Sequence, residues 1–167
     1  MKLYITYGTV DYLAKLVKKH TDKKLRLMAN NQTAVLFHET DGKTIFNVPK
    51  KYDILYSSGD LANGAYALVN NIPVSSEARP LFEKTFQDES LKMEKQTGIS
   101  AIRLLRPLKG DTYIILTLWE SEQYSKAWQE STSFDTILKK TGSNGGLGQP
   151  LANPAYVAKY YSVDLDE

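Results

Sequence analysis

Ala65-Tyr66-Ala67-Leu68-Val69-Asn70-Asn71-Ile72-Pro73-Val74, followed by Ser75-Ser76-Glu77, is the stretch that decides the fold. Branched and aromatic side chains dominate its first ten residues, which read as a strand over 65–74. Ser75 or Ser76 is placed to cap a helix, Glu77 falls in the first turn, and Pro80 is tolerated only near such a start. Leu81, Phe82, Phe86 and Leu91 supply the apolar stripe of that helix, which ends at Thr97-Gly98. Two β-rich runs follow, over 99–106 and 112–119, joined through Lys109-Gly110-Asp111. Ser121 then opens a second helix carrying Tyr124, Ala127 and Trp128, with Phe134, Ile137 and Leu138 continuing the helical pattern to Thr141-Gly142. A loop over 143–154 holds three glycines and two prolines, and an alternating, tyrosine-rich strand is expected over 155–163.

The resulting order, β-α-β-β-α-β, is the split βαβ or ferredoxin-like arrangement of the α+β class, in which helices cover one face of an antiparallel sheet. The opposite face must also be hidden. Residues upstream offer a β-α-β-β-β unit: a strand over 1–7, then a helix capped by Thr9, with Val10, Leu13, Leu16 and Val17 on one face, ending near His20. Strands over 25–29 and 33–40 come next, and Asp41-Gly42 predicts a hairpin into a strand over 43–48. A short helix is expected over 49–56. Ser57-Ser58-Gly59-Asp60 and Asn63-Gly64 mark the division between a first part, 1–62, and a ferredoxin-like domain, 65–167. The first part is expected to cover the sheet as a partner subunit would, giving a pseudo-dimeric barrel or two-sheet arrangement and a monomer in solution.

Composition bounds the chemistry. With 167 residues, 42% of them hydrophobic, the chain is long enough for a sizeable core. The 21 basic and 19 acidic residues are interspersed, so no basic face announces nucleic acid or an anionic membrane. There is no cysteine, which removes disulfides, thiolate nucleophiles and iron–sulfur ligation. Met1 to Tyr7 alternates like a strand rather than a leader and no apolar run is long enough to span a bilayer, so a cytoplasmic protein is expected. The two histidines, His20 and His38, lie in different predicted elements and make no metal motif. His20 reads as a surface residue at a helix end, His38 as a packing residue, and Trp119 as core. The glycines over 142–148 lack the helix and lysine of a phosphate loop.

Thr117-Leu118-Trp119-Glu120-Ser121-Glu122-Gln123-Tyr124-Ser125-Lys126-Ala127-Trp128 resembles the strand-to-helix segment of haem-degrading monooxygenases of the antibiotic-biosynthesis-monooxygenase (ABM) superfamily. Tyr4-Ile5-Thr6-Tyr7-Gly8-Thr9, His38-Glu39-Thr40-Asp41-Gly42 and Ile102-Arg103-Leu104-Leu105-Arg106-Pro107 extend the likeness to the two-part, IsdG-like subgroup of HmoB and the target of RNAIII-activating protein. The resemblance implies haem as substrate and cofactor, dioxygen and an external electron donor, with Trp128 against the haem face and Asn70 above it. Asn71 is the alternative if the register slips by one, which reverses its face. In the family a histidine ten residues beyond the tryptophan ligates iron. Leu138 stands there, and no histidine follows His38, which leaves the iron ligand unassigned. The rival reading is a haem-binding or stress-related signalling protein on the same fold, without efficient catalysis. Arg103, Arg106, Lys139 and Lys140 read as solvated charges, with haem propionates as their alternative partners.

Overall fold

The computed structural model describes residues 1–131 and 155–165. Its elements run β1 (Lys2–Gly8), α1 (Val10–Lys19), β2 (Leu25–Ala29), β3 (Ala34–Thr40), β4 (Lys50–Gly59), β5 (Tyr66–Pro73), α2 (Arg79–Glu94), β6 (Ile99–Pro107), β7 (Thr112–Trp119), α3 (Glu122–Gln129) and β8 (Tyr156–Ser162). The eight strands close into an antiparallel barrel in the order β1-β3-β2-β8-β5-β7-β6-β4. Closure leaves no unpaired edge among these strands, since β4 pairs with both β1 and β6.

Two equivalent halves make up that order. β5, α2, β6, β7, α3 and β8 form the expected ferredoxin-like unit, with its strands arranged fourth-first-third-second as β8-β5-β7-β6. β1 to β4 repeat that arrangement as β4-β1-β3-β2, with α1 in the place of α2 and the segment 41–49 where the second helix should be. The ladders correspond position for position: Tyr4↔His38 in the first half matches Leu68↔Thr117 in the second, Arg26↔Phe37 matches Arg103↔Leu116, and Leu3↔Tyr52 matches Ala67↔Tyr160. The barrel is therefore pseudo-two-fold about its own axis.

β5 is buried along its whole length because it has helices on one face and the barrel interior on the other. Tyr66, Leu68 and Ile72 join α2, α3 and β7 in the outer core of the second half. Ala67 and Val69 face inward, with Leu3, Ile5, Met28, Phe37, Leu105 and Leu116. A third cluster, Tyr4, Leu13, Leu27, Ala34, Leu36 and Phe46, lies under α1. Thr9 caps α1 by accepting from the Tyr12 N–H, as its sequence position predicts.

The structure corrects several expectations. No strand forms over 43–48: both edges of β3 are already taken, by β1 and β2, so a hairpin return has nowhere to pair. Instead Thr44 bonds His38, and Phe46 fills the outer core in place of a helix. The expected helix over 49–56 is the first part of β4, which continues through Ser57, Ser58 and Gly59. Tyr52 and Ile54 face the barrel interior by regular alternation, and the irregularity between Ile54 and Tyr56 turns Tyr56 toward the outer core, which hides the strand period. α2 starts later than expected, after Ala78, and Ser75 closes only the preceding turn by accepting from the Ala78 N–H. Its buried residues are Phe82, Thr85, Phe86, Ser90 and Met93, whereas Leu81 and Leu91 are exposed. Ser121 precedes α3 without a side-chain cap bond. The expectations for Phe134, Ile137, Leu138, Lys139, Lys140 and the loop over 143–154 lie outside the described residues.

Candidate functional site

Strand alternation decides which of the two asparagines on β5 faces the helices. Asn70 shares its side with Tyr66, Leu68 and Ile72, while Asn71 shares the inward side with Ala67 and Val69. Asn71 is satisfied in part, donating to the Val69 carbonyl at 3.2 Å. Asn70 is 2% exposed, and neither its amide nitrogen nor its amide oxygen meets a hydrogen-bond partner among the described residues. Its ladder neighbours are Ile115 on β7 and Val157 on β8, with Leu68 and Ile72 beside it, and none of these four side chains can answer either group. Leaving a buried amide unanswered costs about 1–3 kcal/mol. A carboxamide kept in such a place is a candidate for ligand contact.

Trp128 comes to the same side of the sheet from α3. It is fully buried, and its ring lies 5.8 Å from that of Trp119 with a 39° tilt. Trp119 pairs across the ladder with Tyr66 and donates from its indole nitrogen to Thr117 at 2.9 Å. Trp128 thus belongs to the Tyr66 end of β5, and Asn70 is four residues further along, roughly 13 Å at about 3.3 Å per residue. The two side chains stand on one face, along the length of one strand. Trp119 is core, as expected; so is Trp128, and the two rings touch one another rather than dividing between core and cleft. The phenol of Tyr66 is held protonated well above its ordinary range by burial, reinforced by Glu122 and Tyr161. Tyr113, at the other end of the face, donates to Glu83, and burial raises it likewise.

The histidines are elsewhere. His20 follows α1 at its C-terminus. His38 is 1% exposed on β3, in the first half, held by Thr44 Oγ1 at 2.9 Å and set against Tyr4 and Phe46. Burial first, then Lys23 and His20, lower its pKa and keep it neutral. No group of three His, Asp or Glu converges among the described residues.

Arg103 departs from the reading as a solvated charge. It is 1% exposed, bonds Glu39 at 2.7 Å across the barrel interior, and donates to the carbonyls of Ser58, Ile102 and Gly59 at 2.8, 2.8 and 2.9 Å. Its pseudo-two-fold mate Arg26 donates to Leu61, Ala62 and Gly64. The pair clasps the crossing between the halves, where Gly59 and Gly64 adopt φ of 74° and 95°; a Cβ on Gly59 would meet the Ser100 carbonyl oxygen at 2.1 Å. Alternation with Ala101 and Leu105 was the signal that Arg103 points inward. Arg106 remains half-exposed, bridging Asp53 and Glu83.

No described helix is long and apolar enough to cross a membrane. The chain is 26% identical to a heme-degrading monooxygenase of Listeria monocytogenes over 87% of its own length and 89% of that protein's. It is likewise 26% identical to the signal transduction protein TRAP of Staphylococcus aureus, with 95% of each chain covered. Among solved structures, a major regulator of staphylococcal pathogenesis superposes with a TM-score of 0.85 at 24% identity, covering 98% of this chain and 100% of that one. The heme-degrading enzyme of Listeria monocytogenes superposes with a TM-score of 0.78 at 23% identity, covering 98% and 100%. These superpositions establish the shared fold. The family model for antibiotic biosynthesis monooxygenases matches residues 65–140, a span that includes β5, α2, β6, β7 and α3.

Proposed function

We propose that the chain is a haem-degrading monooxygenase whose substrate binds on the helix-facing side of β5. The observation that carries this reading is the Asn70 carboxamide, buried in an apolar setting with neither its donor nor its acceptor partnered among the described residues, at the position the family resemblance assigns to the haem contact. Support at the level of the whole chain comes from the similarity to the Listeria monocytogenes heme-degrading monooxygenase. Haem, as substrate and cofactor, supplies dioxygen activation at its own iron, with electrons from an external donor.

The residues present suit a large apolar ring with polar needs at one point. Leu68, Ile72, Ile115 and Trp128 offer a water-free wall, and the Asn70 amide offers one oriented donor where charge develops during oxygenation. Trp128 supplies bulk against the ring. Because Trp128 and Asn70 are both buried, a ligand reaching them must displace existing packing. Leu138 stands where the family resemblance expects a histidine, and a leucine side chain has no donor atom for iron, so weaker haem binding would follow.

Haem titration of the full chain, followed by ascorbate and oxygen with catalase present, tests the reading: the Soret band is expected to decline with release of chelatable iron. Leu138→His is expected to raise both haem affinity and turnover, since a neutral imidazole can ligate haem iron. A stable Soret band in both proteins sinks the enzymatic reading and favours the second one. That second reading, a haem-binding regulatory protein, draws its support from the relatives named signal transduction protein TRAP and from the missing histidine.

A further inference from the structure

The end of the barrel opposite the Arg26–Arg103 clasp is built differently. Strand alternation carries the inward-facing rows outward from Ile5 to Tyr7 on β1, from Tyr160 and Ala158 to Tyr156 on β8, and from Tyr52 to Lys50 on β4. Four phenols therefore gather at one mouth. Burial first, and then the neighbouring Tyr160, Tyr52 and Tyr156, raise the Tyr7 phenol, while burial and Tyr156 push Tyr52 up to about 12. The Tyr7 and Tyr52 hydroxyls are thus neutral donors at physiological pH. Tyr52 and Tyr160 occupy equivalent positions of the pseudo-two-fold and are buried, whereas Tyr7 and Tyr156 are 42% and 57% exposed at the rim.

Next to this mouth lies a cavity of about 700 Å³ between β4 and the β6–β7 turn, lined among others by Lys50, Lys51, Tyr52, Pro107, Leu108 and Lys109. Its size is in the range of roughly 300–1,000 Å³ usual for small-molecule sites. The Lys50 ammonium stands 5.6 Å from the centre of the Tyr7 ring, so Lys50 and Tyr52 join the cavity to the phenol cluster. None of Lys50, Lys51 and Lys109 has a carboxylate within ion-pair distance among the described residues, although Asp111 lies in the same lining and accepts only from Thr112. Leu108 and Val48 are exposed on its rim, at 45% and 90%. Uncompensated ammonium groups, phenol donors and flat apolar walls within one cavity describe a ligand that is anionic at one edge and aromatic in the body.

We infer that the barrel mouth framed by Lys50, Lys51, Tyr52, Tyr7 and Lys109 is a second ligand site, separate from the helix-facing side of β5, and that it takes small planar aromatic carboxylates. The anionic edge meets the ammonium groups and a Tyr52 or Tyr7 hydroxyl, and the ring lies against Pro107 and Leu108. Haem bound at Asn70 and Trp128 is on the outer face of the sheet, so the two ligands do not compete.

The probe is 2-naphthoate, followed by its own fluorescence on titration with the full chain. One-to-one saturable binding with a Kd below about 1 mM is expected. Lys50→Met is expected to weaken it about tenfold and Lys109→Met by several-fold, both with unchanged thermal midpoints and unchanged haem spectra. Tyr52→Phe is expected to lower affinity without altering the circular dichroism. Three results overturn the site: no saturation, affinity indifferent to both lysine substitutions, or displacement of naphthoate by stoichiometric haem. Because the lysines are surface groups remote from Asn70, failure here leaves the haem reading untouched, and failure of the haem assay leaves the naphthoate result standing.

Discussion

The two halves of this barrel share a strand order and a register, yet only one carries the candidate site. Where the second half has Asn70, the first has Thr6, one residue before Tyr7 on the matching strand; where the second half has α3 with Trp128, the first has the segment 41–49 with Phe46. His38 falls at the position matched by Thr117. Equivalent backbones therefore surround different chemistry. The first half uses its outer face to finish a core, and the second keeps an unanswered carboxamide on the same face. Ordinary packing fills the first; retained polarity at an energetic cost is what the proposed site in the second half rests on.

The largest test of that comparison uses the two equivalent arginines. Arg103→Met leaves the buried Glu39 with only the longer ion pair to Lys24, at 3.6 Å, and is expected to cost about 3 kcal/mol. Arg26→Met removes bonds to carbonyls that water can reach and is expected to cost no more than about 1–2 kcal/mol. Denaturant midpoints with constant slopes give both figures, and equal costs contradict the view that the clasp is asymmetric.

Trp128→Ala and Trp119→Ala are each expected to destabilise by about 3–5 kcal/mol, since both rings are fully buried and in contact. Turnover per folded molecule separates them, with the greater loss of haem degradation expected in Trp128→Ala. Equal activity per folded molecule in Trp128→Ala and the unaltered protein removes the catalytic role of that ring.

Asn70→Leu replaces an unpartnered amide by an apolar group of similar shape, so the folded protein is expected to gain about 1–3 kcal/mol while haem turnover falls. Thr6→Val, at the matching position of the first half, is expected to leave turnover unchanged. A destabilised Asn70→Leu protein indicates that the amide is satisfied after all. The smallest effect is on assembly: because the first half supplies the strands that close the barrel, sedimentation is expected to show a monomer whose apparent mass is independent of concentration. A dimer that survives dilution removes the analogy between the first half and a partner subunit.

Much of this was readable in the chain. Periodicity over 65–119 was sufficient for β5, β6, β7 and the helix between β5 and β6, because a strand buried on both faces and a helix bounded by serines and glycine announce themselves locally. The resemblance around Trp128 selected Asn70 and Trp128, but only the register of β5 could put Asn70 on the helix side and Asn71 on the barrel side, since a shift of one residue exchanges them. β4 reads locally as a short helix followed by a boundary turn because its irregularity breaks the period of two and its partners, β1 and β6, lie far away in sequence. Arg103 reads as solvated for a related reason: charge predicts exposure unless another segment brings a carboxylate, and Glu39 is 64 residues away. Local chemistry fixes which residues can form a strand or a helix. Which face of a closed sheet each side chain occupies, and therefore whether a polar group is answered or left waiting, is a property of pairing between distant segments, and tertiary structure alone decides it.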